Sequence, residues 1–185
     1  ALLKSARARG IRGEELTTLD VWDDKLVSLG TQVVRARLAL AHDLAQPLAE
    51  AYTTIAGADH RPELEWALTI DGAATDDDED TTALSAPAPR SPQDLEDRFR
   101  QALAAKRASE LDRGLTLVGP HRDDLALRVR GLPVKGYASH GESWSVALAL
   151  RLASARLLRE QSMLGDPVLI LDDVFAELDA DRRSR

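Results

Sequence analysis

Apolar positions change their period several times along this chain. Over residues 14–29, Leu16, Leu19, Trp22 or Leu26, and Leu29 recur at the spacing of one helix face. Gly30 is expected to stop that helix and Thr31 to cap the next. The second helix would present Val34, Leu38, Ala41, Leu44 or Ala45, and Leu48, with Pro47 expected to kink or end it. From 64 to 70 the period drops to two. Leu64, Trp66, Leu68 and Ile70 alternate with Glu65, Ala67 and Thr69, which predicts a half-buried strand. Residues 72–92 are Gly, Ala, Asp, Thr, Ser and Pro, too little apolar surface to offset the entropy of ordering, and a flexible acidic insertion is expected. Helical spacing returns over 93–110 with Leu95, Phe99, Ala102 or Leu103, and Lys106.

Beyond Gly114 the rhythm becomes strand and helix. Leu115 to Val118 read as a strand, Gly119-Pro120-His121-Arg122-Asp123-Asp124 as a turn, and Leu125, Leu127 and Val129 as the inward face of a second strand. Residues 143–160 predict an amphipathic helix with Trp144, Leu148, Leu152, Ala155 and Leu158 in register. Pro167 opens Val168-Leu169-Ile170-Leu171, a run expected of a strand buried on both faces of a parallel sheet. The chain is therefore expected to divide near residue 112. Residues 1–111 are mostly helical with one strand, and 112–185 have the α/β order of a nucleotide-binding sheet.

Composition sharpens this picture. Hydrophobic residues make up 44% and charged residues 30% of 185 residues, enough for a packed core. No apolar run approaches the roughly 18 residues of a membrane span, and the first residues lack a secretory pattern. With no cysteine, disulfides and thiolate metal sites are excluded, which fits a cytoplasmic location. The net charge of −7 opposes nucleic-acid binding at first sight, but five of the 31 acids lie in one run, Asp76 to Asp80. Lys4, Arg7, Arg9 and Arg12 form an acid-free basic stretch, read either as a DNA phosphate contact or as a solvated helix face. The chain opens without Met and closes as an unfinished helix, so a piece of a longer protein is expected.

Two motifs carry chemistry. The run 168–171 ends in Asp172 and Asp173, and adjacent carboxylates at a strand exit call for a hard cation such as Mg²⁺ with its phosphates. In this Walker B pattern Asp172 would hold the metal and Asp173 would orient or deprotonate the attacking water; a pair of solvated loop acids is the plainer account. Ser139-His140-Gly141-Glu142 precedes the amphipathic helix, where free N–H groups and a small hydroxyl suit a phosphate. An ordinary Ser/Gly turn capping the helix explains the same residues. The order of Ser-x-Gly turn, helix, buried strand, paired acids and Glu177-Leu178-Asp179 matches ABC-type ATPases.

Three blocks make the resemblance narrower. Thr116 with Gly119-Pro120-His121-Arg122-Asp123-Asp124-Leu125, the run from Ala138-Ser139-His140-Gly141-Glu142 to Ala153, and Leu171-Asp172-Asp173-Val174-Phe175-Ala176-Glu177-Leu178-Asp179 resemble blocks of RecF proteins. Trp22-Asp23, Leu26, Gly30 and Arg37 resemble a further stretch of that family. The resemblance implies an ABC-type head, of which this chain carries the C-terminal lobe, with an inserted helical lid. It implies ATP and Mg²⁺ as ligands and an ATP-dependent homodimer. It also implies DNA, single-stranded, gapped or at junctions, as partner, with RecO and RecR as companions in recombinational repair. Ser139, His140, Gly141 and Glu142 would cap ATP held by the other subunit, and Glu177 and Asp179 would line the same interface.

The departures are specific. His140 and Glu142 stand where many relatives have Gln, Trp144 where Arg is common, and Asp173 where the wider class has Glu, which fits a slow ATPase used as a switch. No G-x-x-x-x-G-K-[ST] occurs, since Pro120 and His121 follow Gly119. The family's P-loop is expected upstream, and these residues alone are expected not to hydrolyse ATP. The competing readings are another ABC- or SMC-like ATPase with a non-DNA partner, and a non-catalytic lid or dimerisation module.

Overall fold

The computed structural model describes residues 2–9, 17–73, 91–163 and 165–171. The elements are helix α1 (Leu2–Arg9), helix α2 (Thr17–Ala56), strand β1 (Glu63–Ala67), a 3-10 turn (Thr69–Asp71) and helix α3 (Pro92–Arg113). Strands β2 (Asp124–Val129) and β3 (Leu132–Pro133), the short α4 (Val134–Tyr137) and helix α5 (His140–Gln161) follow. The strands form one sheet in the order β1-β2-β3, and β2 pairs antiparallel with β3, Val129 facing Leu132. Two compact units result, one from Ala1–Arg37 and Trp66–Asp124, the other from Leu38–Glu65 and Leu125–Arg185. Each is assembled from two stretches of chain.

In the first unit, α2 runs without a break through Gly30 and Thr31, where a stop and a new cap were expected. Packing explains the difference. A Cβ on Gly30 would lie 2.6 Å from Cε2 of Phe99, a ring that is itself fully buried. Glycine at this position makes room for the ring of α3; it does not end the helix. Thr31 is buried within the helix, and its hydroxyl has no hydrogen-bond partner. Pro47 also lies inside α2 and does not end it. Helix α3 starts where Ser91 accepts the Asp94 N–H, with Pro at the first helical position, and buries Leu95, Phe99 and Leu103 at four-residue spacing. Lys106, placed on the same stripe from the sequence, is exposed.

Two strand expectations are corrected in this unit. Leu115 to Val118 form no strand, although Leu117 and Val118 are buried. The Leu117 N–H donates to the carboxylate of Glu110 at 2.8 Å instead of to a neighbouring strand. The alternation over 64–70 stops at Ala67, and Leu68, Thr69 and Ile70 are all buried. The Thr69 N–H is taken by the Asp123 side chain, so the backbone turns there. The acidic stretch from 74 to 90 lies outside the described residues.

The second unit packs the C-terminal half of α2 against α5 and β2. Its core holds Leu44, Leu48, Tyr52 and Ile55 of α2, Val129 of β2, and Val146, Leu148, Ala149 and Ala153 of α5. Helix α5 starts three residues earlier than its apolar spacing implied, and Ser145, Val146, Leu148, Ala149 and Ala153 define its buried face. Leu158 is 57% exposed, so the expected stripe does not hold to its end. Tyr52 is fully buried and its hydroxyl lies 3.2 Å from Nδ1 of His60.

A substitution at Gly30 tests the packing argument. Alanine in a helix interior is normally about 1 kcal/mol better than glycine, but intruding on a close-packed ring costs about 1–3 kcal/mol. Gly30→Ala is therefore expected to lower stability in chemical denaturation, and pairing it with Phe99→Leu should restore part of the loss.

Candidate functional site

The most specific turn of the sequence, Gly119 to Asp124, is built around a buried carboxylate. The side chain of Asp123 has no exposed surface. Its Oδ1 accepts both the N–H and the hydroxyl of Thr69, each at 2.8 Å, and its Oδ2 lies 3.4 Å from the Arg37 guanidinium. Thr69 Oγ1 in turn accepts the Gly119 N–H at 2.9 Å. Arg37 donates to the Pro120 carbonyl at 2.6 Å and lies 4.6 Å from the ring centre of Trp66, whose indole N–H donates to the Arg37 carbonyl. Arg122 Nε donates to the carbonyl of Thr116, and His121 Nε2 is 3.3 Å from the same oxygen. His121 and Arg122 thus fix the turn to the segment before it. Burial pushes the Asp123 carboxyl above its ordinary 3.8, against the pull of Thr69 and Arg37.

A second buried carboxylate closes α3. Glu110 is 0% exposed and accepts the Leu117 N–H, while Arg107 lies 3.2 Å from its other oxygen and also pairs closely with Asp23. Burial raises the Glu110 carboxyl above its usual value, opposed first by the Leu117 N–H and then by Arg107. Thr69 and Glu110 were not singled out from the sequence. Thr69 reads there as the outward residue of an alternating strand, and Glu110 as one more charge on a polar helix.

The second unit holds the Ser139–Glu142 motif at the start of α5. Ser139 is the N-cap: its hydroxyl accepts the Glu142 N–H at 3.3 Å and donates to the Glu142 carboxylate at 2.9 Å. The Glu142 carboxylate reaches back to the Ser139 N–H at 3.0 Å, completing a capping box. His140 and Gly141 therefore belong to the first helical turn. The other oxygen of Glu142 pairs closely with Arg130. Arg130 and Gly131 both have positive φ, 55° and 76°, and form the tight turn between β2 and β3. The Arg130 N–H donates to the His60 carbonyl at 2.7 Å, which ties this turn to the loop after α2. The positive end of α5 thus faces a carboxylate of its own, balanced by a cation from the hairpin.

Asp172, Asp173, Glu177 and Asp179 lie outside the described residues, and the run leading to them departs from expectation. Val168 to Leu171 form no strand, with Val168 88% and Ile170 86% exposed. A strand buried on both faces needs elements packed above and below the sheet as well as paired edges, and no strand among the described residues pairs with this run. Among the described residues no cluster of three or more His, Asp or Glu could hold a metal ion, and no helix is long and apolar enough to cross a membrane.

Comparison with known proteins gives one consistent result. No family model matches the chain. It is similar to the DNA replication and repair protein RecF of Leifsonia xyli subsp. xyli, 59% identical over 182 residues, 98% of this chain and 47% of the relative. The RecF of Clavibacter sepedonicus is 56% identical over 187 residues, covering 100% and 46%, and that of Kineococcus radiotolerans 50% identical over 197 residues, covering 100% and 47%. The chain spans about half the length of the curated relatives it matches. A solved structure of the recombination mediator protein RecF-ATPrS in the RecFOR pathway superposes with a TM-score of 0.77 at 25% identity, covering 98% of this chain and 44% of that one. A RecF-ATP structure of the same pathway gives 0.68 at 26% identity, covering 99% and 44%.

The buried carboxylate sets a pH dependence whose sign is fixed. An acid whose folded value is raised holds its proton longer in the folded state, so stability is fullest at low pH and is lost as pH rises through the raised value. Asp123→Asn keeps an oxygen for Thr69 and removes the titration. As pH rises from about 4 through the range above the ordinary carboxylate value, the wild-type urea midpoint is expected to fall relative to that of Asp123→Asn.

Proposed function

The chain belongs to the RecF family, and we propose that it forms part of an ATP-dependent DNA-binding protein of recombinational repair and replication-fork maintenance. The observation that carries this reading is identity of 50–59% to three named RecF proteins along virtually the whole chain. The superposition on RecF with bound nucleotide supports it. In this reading residues 112–185 contribute the C-terminal lobe of an ABC-type head and residues 1–111 the mostly helical lid. The intact protein acts in the cytoplasm, binds ATP with Mg²⁺, dimerises on it, engages single-stranded, gapped or junction DNA, and works with RecO and RecR.

The α5 terminus supports a capping role for the Ser139–Glu142 motif. Ser139, His140, Gly141 and Glu142 are proposed to close on the terminal phosphate of ATP held by a partner subunit. The positive end of the helix favours an anion, and Ser139 and His140 are exposed. Glu142 already occupies part of that field, so an arriving phosphate meets a carboxylate whose charge Arg130 offsets. Asp172 is proposed to hold Mg²⁺ and Asp173 to orient the attacking water, while Glu177 and Asp179 line the dimer interface.

The test separates capping of the helix from capping of the nucleotide. In the intact protein Ser139→Asp keeps a good N-cap but sets a negative charge against phosphate. Melting close to wild type with loss of ATP-dependent dimerisation in gel filtration is the expected outcome. An unchanged ATP-dependent dimer would remove the motif from the site. Asp173→Asn should cut ATP turnover by roughly a hundred-fold or more without weakening nucleotide binding.

A further inference from the structure

The first unit carries a cavity of about 430 Å³ that the proposed function leaves without a task. Leu19 and Leu26 of α2 and Leu115 after α3 give it apolar walls, and the indole of Trp22, 57% exposed, forms one side. At its base lies the Arg107 guanidinium, held between Asp23 and Glu110. The same Asp23–Arg107 pair borders a second cavity of about 410 Å³ whose lining includes Asp20 and Asp24. Asp20, Asp23 and Asp24 with Arg100 and Arg107 line the second, whereas Asp23 and Glu110 with Arg107 and Lys4 of α1 line the first.

Arg7 of α1 lies close to Gly114, a residue of the cavity lining. A Cβ on Gly114, which lines the cavity, would lie 3.3 Å from Cγ of Lys4 and 3.7 Å from Cδ of Arg7. Both residues are exposed, and their stems lie over the turn after α3. An open aromatic face, apolar walls, polar groups at the base and cations nearby match what an unpaired nucleotide offers: a flat ring with polar edges and a phosphate on either side. The volume falls within the range of sites that enclose a small organic group.

We infer that this cavity receives one unpaired base of a DNA strand, stacked on Trp22, with its flanking phosphates against Lys4 and Arg7. The inference rests on the DNA-binding reading above and names the place and the form of DNA. A duplex keeps its bases stacked inside and cannot fill the pocket without flipping one out. A protein side chain of similar shape is the competing occupant, but it has no use for two cations nearby.

The experiment uses the intact protein with ATP, a single strand carrying 5-bromouracil, and a duplex of the same sequence. Irradiation is expected to join the bromouracil to Trp22, located by peptide mass spectrometry. Trp22→Ala should weaken single-strand binding about five- to a hundred-fold and leave duplex binding unchanged, while Trp22→Phe keeps most of the affinity. Lys4→Ala should reduce the salt dependence of single-strand binding by roughly 0.7 in log–log slope. The readout is the ratio of the two affinities, which misfolding would not shift. An unchanged ratio for Trp22→Ala, or the loss of a protein complex with both DNA affinities intact, overturns the inference while the DNA-binding reading stands. An intact protein that binds neither DNA sinks both.

Discussion

A carboxylate without exposed surface must find donors or lose its charge, and in this protein Asp123 finds three. The Thr69 N–H and hydroxyl and the Arg37 guanidinium come from segments remote in sequence from the turn that carries the acid. Satisfying one group therefore fixes the turn after β1, the end of the first stretch of α2 and the Gly119–Asp123 bend relative to one another. The energy at stake is that of leaving a buried charge unpaired, about 3–5 kcal/mol when one partner is removed. No apolar contact at this place would specify geometry so narrowly. Glu110 repeats the device at the end of α3, with the Leu117 N–H and Arg107 as its donors.

These two acids explain what the sequence did and did not disclose. The helical stretches of α2, α3 and α5 were legible because their apolar residues recur every three or four positions, and Ser139 was readable as a cap of α5. The hairpin of β2 and β3 was half legible, since Leu125, Leu127 and Val129 alternate. Leu115 to Val118 misled because a short apolar run looks the same whether its N–H groups meet a strand or a side chain. Gly30 misled for a different reason. Local propensity makes glycine a helix terminator, and only the opposing ring of Phe99 reveals that space was the requirement. At the candidate site, Ser139 to Glu142 were found from spacing, but the partner Arg130 was not. Its position depends on a left-handed turn and on strand register, which no motif records.

At the α5 terminus helix capping is observed, and phosphate binding is the role proposed for the same residues. Ser139 caps its helix in the plainest structural sense, and the same exposed serine heads a row of N–H groups suited to an anion. A helix that already satisfies its own end needs no ligand to fold. In the proposed role an incoming phosphate would compete with the resident Glu142, whose charge Arg130 offsets. Such an arrangement suits a contact that forms and breaks with nucleotide state.

The segment from Leu117 to Gly119 has one more consequence. It is irregular by geometry, yet its amides at 117 and 119 donate to Glu110 and Thr69 within a buried setting. Amide protons in loops ordinarily exchange with solvent through small, frequent openings. Here an opening must expose a carboxylate network and the apolar pair Leu117 and Val118 together. These loop protons should exchange on the timescale of the surrounding helices, making this irregular stretch one of the last parts of its unit to let water in.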